Sequence, residues 1–241
     1  MEIPNIEPAN IDLTFLDNLI FHLGLVEMLS YWKSVCSPII EIEAGNLTKD
    51  QITWWQNLLE KGMGEFFYQN GINFKQNDFV TINSKSNKIY KKDINKHKER
   101  FLILNSGGRD SIVSIETLKV LDKKMALLML NPSIAASEVA TKAGIANNII
   151  VVREIDKTLL ELNEKGFLNG HTPFSAYLAF LSLMCASIFD YKFCVASNER
   201  SSNEENTEYL GEKINHQYSK TFEFEKSFKY YSKKYLCEDI D

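Results

Sequence analysis

The sequence predicts an α/β protein: a parallel sheet with helices on both faces, preceded by a small α+β N-terminal region. Two observations carry this. Four short apolar runs, Phe101–Leu104, Met125–Leu130, Ile149–Val152 and Phe193–Ala196, punctuate the second half of the chain. Between them lie stretches with helical spacing: IVSIETLKVL from Ile112, then Ala135–Ala143, Thr158–Glu164 and Phe174–Phe189. Strand and helix in alternation imply a parallel sheet covered on both sides.

Taken in order, Ile11 to Lys33 reads as a helix, with Leu13, Leu16, Leu19, Ile20 and Leu23 at helical spacing and Gly24 as a point of interruption. Ser37-Pro38 breaks that pattern, and Ile39, Ile40 and Ile42 suggest a short strand before the Gly45-Asn46 turn. Thr48 opens a second helix with Gln51 three residues on, a capping-box spacing. Trp54, Trp55, Leu58 and Leu59 form its apolar face, and His22 and the tryptophan pair read as core. Gly62, Gly64, Asn70 and Gly71 mark a looser stretch, and Phe79–Ile82 is one more strand. Ser84 to Arg100 carries seven Lys or Arg against two acids and reads as a solvated linker or hairpin rather than a surface for a phosphorylated substrate. The chain thus divides into an α+β region (1–83), a basic polar linker (84–100) and the sheet domain (101–241). In the sheet domain the second run ends at Asn131-Pro132, and Gly144 stops the following helix. Thr172 is the expected N-cap of the long apolar helix, with Pro173 at its first position, where a missing N–H costs nothing.

Composition excludes several classes. The chain has 241 residues, 44% hydrophobic and 24% charged, with a net charge of −5, and this gives no reason to expect nucleic-acid binding. No uninterrupted apolar stretch is long enough to span a membrane. The acidic start, MEIPNIEPANID, is not a signal peptide. Four scattered cysteines without a CxxC pair suit reduced thiols in a cytoplasmic protein.

The stretch FLILNSGGRDS, Phe101–Ser111, organises the rest. An apolar strand ends at Asn105, a Ser106-Gly107-Gly108-Arg109-Asp110-Ser111 turn follows, and a helix begins. Strand, glycine turn and helix build an anion site, because paired glycines allow close backbone approach and positive φ. The first-turn amides and Ser111 then face the ligand, and the helix end favours phosphate. The dinucleotide pattern GxGxxG and the Walker ending GK[ST] are both absent.

Ligands of open parallel sheets sit outside the carboxyl ends of the strands. That rule nominates Asn131, the 153–157 turn and Ser197-Asn198-Glu199-Arg200 together with the glycine loop. His171, in the turn Asn169–Pro173, suits acid–base chemistry or phosphate binding. Arg200 suits a carboxylate or phosphate, Glu199 suits a magnesium ion or a proton, and His216 and Tyr218 extend the polar set.

SGGRDS resembles the SGGxDS loop of the PP-loop ATP pyrophosphatase superfamily, whose members cleave ATP between the α- and β-phosphates and often adenylate a substrate. The wider set SGGRDS, NGHTPFSA, ASNERS and NHQYSKTFEFE, preceded by SYWKSVCSP and QITWWQNLLEKGMGEFFYQNG, resembles the MurL family of UDP-N-acetylmuramoyl-L-alanyl-L-glutamate epimerases of bacterial cell-wall synthesis. The likeness runs from the Tyr31 region to the Phe228 region. It implies a HUP-like adenine-nucleotide α-hydrolase fold, with 101–241 as a PP-loop ATP-binding domain that is incomplete at its C-terminus, since family members are much longer. It further implies ATP and Mg²⁺ as cofactors and UDP-MurNAc-L-Ala-L-Glu as a small-molecule substrate, with no nucleic-acid or membrane partner and no oligomeric state fixed.

By that resemblance Ser106, Gly107, Gly108, Arg109, Asp110, Ser111 and Asn131 bind ATP, with Asp110 also placing Mg²⁺. His171, Glu199 and Asp110 are catalytic candidates, and Asn198, Arg200, His216 and Tyr218 bind substrate. The implied chemistry is coherent. A glutamate α-proton resists removal beside a charged carboxylate, and adenylation removes that charge and supplies an electron sink. Two other functions fit the same loop: another PP-loop adenylating enzyme (an amide ligase or a nucleobase- or tRNA-modifying enzyme), and a non-catalytic nucleotide-binding module.

Overall fold

The structure, a computed structural model, describes residues 13–76 and 79–241. The acidic N-terminal stretch, the expected helix start at Ile11 and the side chain of Leu13 lie outside the described residues.

Helix α1 (Leu13–Trp32) passes through Gly24 without a break. Phe15, Asn18, Leu19, His22, Leu25, Val26, Leu29 and Trp32 form its buried stripe, recurring every three or four positions, and Phe21 is buried beside it. Ile20 lies off that stripe and is 53% exposed, which corrects its assignment to the apolar face. Strand β1 (Ile39–Ile42) pairs in parallel with β2 (Thr81–Ser84). Between them, α2 (Lys49–Gly62) starts with the expected reciprocal Thr48–Gln51 cap. The stretch read as loose is instead a helix, α3 (Gly64–Gln69), because Phe66 and Phe67 are driven into the core at 0% exposure.

The sheet domain follows as β3 (Phe101–Leu104), α4 (Arg109–Lys119), β4 (Met125–Leu130), α5 (Ile134–Ala143), β5 (Asn148–Val151), α6 (Lys157–Glu164), α7 (Phe174–Phe189) and β6 (Phe193–Val195). The four strands lie in the order β5-β4-β3-β6, all parallel. Their two faces separate by the period of two. Leu102, Ala126, Leu128, Ile149 and Val151 join the large core shared with α1, α2, α3 and α7. Phe101, Ile103, Leu127 and Met129 pack on the other side against Ile115 of α4 and Ala136 and Ala140 of α5. The sheet is therefore covered by helices on both faces, as the alternating pattern predicts. Helix α7 begins one residue later than expected, with Pro173 rather than Thr172 as its cap residue.

Beyond β6 come a 3-10 turn (Arg200–Asn203), a hairpin of β7 (Thr207–Tyr209) and β8 (Glu212–Ile214), a second 3-10 turn (Tyr218–Lys220) and α8 (Phe222–Tyr235). Sequence reading passed over these elements. The signal for α8 was present: Thr221 caps Phe224, Glu223 and Glu225 occupy the first turn, and Lys233 and Lys234 the last. No helix among the described residues is long and apolar enough to cross a membrane.

The basic segment 84–100 forms no hairpin. Lys85, Lys88, Lys92, Lys96, Lys98 and Arg100 each meet a carboxylate: Glu41, Asp17, Glu238, Asp239 and, for the last two, Asp190. Six of its seven cations are thus paired within the protein. Asp93 points inward and is 1% exposed, accepting from Ser187 Oγ at 2.8 Å and from the Asn95 N–H at 2.9 Å.

Where α1, α2 and α8 meet, a polar knot sits inside the aromatic core. His22 Nδ1 is 2.9 Å from the Asn18 carbonyl, which only accepts, so Nδ1 carries the proton. Nε2 then accepts from Tyr231 Oη at 2.9 Å, and Tyr231 Oη accepts from Trp55 Nε1 at 3.0 Å and Gln51 Nε2 at 3.2 Å. Burial holds His22 neutral, its pKa lowered to about 4, against a smaller opposing effect of the Asn18 carbonyl. The sign follows: below the ordinary histidine pKa of about 6.5 the unfolded chain takes up a proton that the folded chain refuses, so stability falls as pH drops. Between pH 7.5 and 5 His22 alone should remove about 2 kcal/mol, in urea unfolding followed at several pH values. A flat profile over that window would show the histidine charged or hydrated inside the fold.

Candidate functional site

The chain runs outward from β3 to β4 and β5, then returns to the other side of β3 as β6. This makes the β3–β6 boundary the topological switch point, where a crevice opens beyond the strand ends. A cavity of about 720 Å³ lies there, within the range of small-ligand sites. Its walls include Ser106, Gly108, Asp110 and Ser111 from the glycine loop, Asn131 and Arg153 from the exits of β4 and β5, Asn198 after β6, and Lys220 before α8. Leu104, Leu128, Leu178, Phe224 and Phe228 supply an apolar lining.

The loop is shaped from beneath by Asn105, which sequence reading took only as the end of the strand. Asn105 is 4% exposed; its Nδ2 donates to the Ala136 carbonyl at 2.9 Å and its Oδ1 accepts the Gly107 N–H at 3.0 Å. This side chain imitates a turn in the backbone and ties the loop to the start of α5. Gly107 takes φ +82°, whereas Gly108 is extended at φ −79°, ψ 164° and caps α4. Only the first glycine therefore needs the left-handed region. The second matters for space: a Cβ there meets nothing nearer than Ser106 Oγ at 3.6 Å. Ser111 is buried, and its Oγ accepts the Ser106 N–H at 3.4 Å. Asp110 lies in the first turn of α4. The arrangement presents backbone donors and a helix N-terminus to the cavity, which is what an anion requires.

Asn131 holds the two neighbouring strand exits together. Its Nδ2 donates to the Arg153 carbonyl at 2.8 Å and its Oδ1 accepts the Arg153 N–H at 2.9 Å. Arg153 in turn is forked onto the Glu27 carboxylate, with Nε at 2.9 Å, and lies over the rings of Tyr177 and Phe174. Glu27 and Tyr177 were silent in the sequence because their partner is distant in the chain.

The other sequence-nominated residues lie elsewhere. His171 and His216 face each other, ring centres 6.3 Å apart, outside the lining of the cavity. Burial, then the neighbouring His216, lower the pKa of His171 and favour its neutral form. Lys33 Nζ donates to the Gly170 carbonyl at 2.9 Å and steadies that turn. The His216 N–H donates to Asn206 Oδ1 at 3.0 Å. Glu199 and Arg200 are exposed, next to Asn198 but not in the cavity wall, and Glu199 accepts from Ser201 Oγ at 3.1 Å. Arg109 is exposed. Tyr218 is buried beneath Lys61 and against Phe224, and burial pushes its hydroxyl pKa up to about 12.

Fold and site together define a parallel α/β protein with a glycine loop, leading into a helix N-terminus, at the switch point of its sheet. The whole of it, residues 1–241, matches the MurL N-terminal domain family, and the chain belongs to that family. Three relatives bear the name UDP-N-acetyl-alpha-D-muramoyl-L-alanyl-L-glutamate epimerase. The one from Xanthomonas oryzae pv. oryzae is 27% identical over 219 residues, covering 90% of this chain and 48% of the relative. That from a Micromonospora species is 28% identical over 232 residues, covering 93% and 50%. That from Salinispora tropica is 35% identical over 119 residues, covering 49% and 26%. The chain thus spans about half the length of the first two. No solved structure matches it.

Proposed function

We propose that this chain supplies the ATP-binding part of an epimerase that inverts the terminal L-glutamate of UDP-MurNAc-L-Ala-L-Glu in peptidoglycan precursor synthesis. The observation that supports this above others is the Asn105-braced glycine loop opening on the switch-point cavity, in a chain of the MurL N-terminal domain family. The N–H groups of Ser106 and Gly107 are taken up within the loop, so the free first-turn N–H groups of Gly108–Ser111 receive the nucleotide phosphates, as at other helix N-termini. Magnesium fits as a phosphate-bound ion. No group of three metal-ligating side chains stands together among the described residues, and Mg²⁺ commonly takes one or two carboxylates plus phosphate oxygens and water. Of the three carboxylates in the cavity wall, Asp241 is paired with Lys229 and Lys233, which makes Asp110 and Glu225 the candidates to hold it.

ATP supplies activation of the glutamate carboxylate, with release of AMP and pyrophosphate. Once that carboxylate is neutralised, its α-proton is acidic enough for a side-chain base. His171, whose neutral form burial favours, and Glu199 are the candidates for moving it. Both lie outside the cavity lining, so the base comes into play with substrate bound between the cavity and the His171–His216 surface.

The test is isotopic. The chain, joined to the remaining half carried by the Xanthomonas relative, is incubated with UDP-MurNAc-L-Ala-L-Glu, Mg²⁺ and D₂O, with and without ATP. The expected result is deuterium at the glutamate α-carbon and AMP release, both only with ATP. AMP without deuterium would make the protein a ligase, and deuterium without AMP would remove ATP from the mechanism. In His171→Ala and Glu199→Gln, loss of exchange with retained AMP formation marks the proton-transfer residue.

A further inference from the structure

Six charged side chains line the cavity: Asp110, Arg153, Lys220, Glu225, Lys229 and Asp241. Arg153 is held by Glu27, and Lys229 by Asp241 at 2.7 Å. Among the described residues Lys220 has no carboxylate within ion-pair distance, which leaves it as the uncommitted cation of the wall, against Asp110 and Glu225.

We propose that Lys220 is the cationic contact for the anionic group of the ligand in this cavity, acting from the turn before α8 while the glycine loop acts from the β3 wall. The proposal rests on the ATP-binding reading and extends it to a residue that the glycine-loop pattern does not contain. The backbone that carries Lys220 is well fixed. Its N–H donates to the Gln217 carbonyl at 2.7 Å, and Thr221 Oγ1 donates to the Tyr218 carbonyl at 2.8 Å. The Phe222 N–H donates to Asn203 Oδ1 at 2.9 Å, and Asn215 Nδ2 to the Ser202 carbonyl at 2.8 Å. These bonds clamp the Lys220 turn to the segment leaving β6, so two rims of the cavity are held in one frame. Tyr218 and Ser219 are buried, whereas Lys220 is exposed, so the turn anchors itself with two residues and presents the third.

Charge decides why the position matters. Without Lys220 the wall has no uncommitted cation, and the charge of a polyphosphate or carboxylate beyond what Mg²⁺ neutralises would go unmatched beside an apolar lining. An ammonium on a flexible stem suits an oxyanion whose exact position shifts as the reaction proceeds. The anion has two sources with the same chemistry, the phosphates of a nucleotide and the carboxylate or diphosphate of the UDP-sugar dipeptide.

Calorimetric titrations of the chain distinguish them. ATP with Mg²⁺ and, separately, UDP-MurNAc-L-Ala-L-Glu are added to wild type, Lys220→Ala, Lys220→Arg and Lys226→Ala. Lys226 lies on α8, just beyond the Lys220 turn, over the Phe222 ring and outside the cavity wall. Lys220→Ala should weaken ATP roughly 10- to 100-fold, the worth of one charge-assisted contact, with a smaller loss at high salt. Lys220→Arg should restore most of the affinity, and Lys226→Ala should change nothing. A loss confined to the UDP-sugar would keep Lys220 as an anion contact and assign it to substrate. Wild-type affinity for both ligands in Lys220→Ala would overturn the proposal while leaving the ATP reading intact. No binding of either ligand to wild type would overturn both.

Discussion

Gly107→Ala should destabilise the protein by roughly 2–5 kcal/mol in urea unfolding, combining the strain of a left-handed residue with overpacking. Gly107 sits at φ +82°, a region that L side chains seldom adopt. Space is tighter still: an added Cβ would lie 2.5 Å from the Ala136 nitrogen and 2.7 Å from the Ala135 carbonyl carbon. Both are backbone atoms at the start of α5 and cannot swing aside as a side-chain tip would. The same place is crossed by the two hydrogen bonds of Asn105, to the Ala136 carbonyl and from the Gly107 N–H. Pushing α5 away therefore also breaks the brace under the loop. Gly107→Asn separates the two causes, because asparagine tolerates positive φ better than alanine but carries the same Cβ. Equal losses in the two variants assign the cost to the clash. A loss below about 0.5 kcal/mol in Gly107→Ala, within the range of an ordinary surface change, would mean that α5 yields freely.

Much of this architecture was legible in the chain because its signals are local. The four sheet strands are continuous apolar runs, and the observed strands fall within one residue of them, as at Asn148–Val151 against the expected Ile149–Val152. Thr48 and Gln51 specify their cap within four residues, and the structure forms it. What was illegible depends on distant partners. Arg153 reads as a surface cation until Glu27 is found beside it, and Lys33 until Gly170 is. The basic run at 84–100 gave no sign that its acids come from Asp17, Asp190 and Glu238. In α3, glycines at both flanks outweighed two phenylalanines whose burial is decided by the fold. The glycine loop shows the divide within one motif. Its pattern raises the expectation of an anion site, but the sequence could not say that Gly107 packs against α5 while Gly108 lines the cavity.

That division gives the opposite expectation for Gly108→Val: an intact fold and a lost ligand. Gly108 is extended, at φ −79° and ψ 164°, a conformation that β-branched residues favour. An added Cβ meets only Ser106 Oγ at 3.6 Å, ordinary contact, so stability should move by less than about 1 kcal/mol. The methyl groups of valine would then project from the mouth of the turn, where backbone N–H groups face the cavity. A phosphate held off by one methyl group loses hydrogen bonds to those donors, each worth about 1.5–3 kcal/mol when the acceptor is charged, so ATP affinity should fall about 100-fold. Gly108→Ala should lie between, since a single Cβ narrows the mouth without filling it. The pairing with Gly107 makes the result decisive: unfolding midpoints and ATP titrations on both variants should show one losing stability and the other losing nucleotide. ATP affinity equal to wild type in a folded Gly108→Val would remove the nucleotide from this loop, because no ligand that approaches the backbone here can leave that side chain untouched.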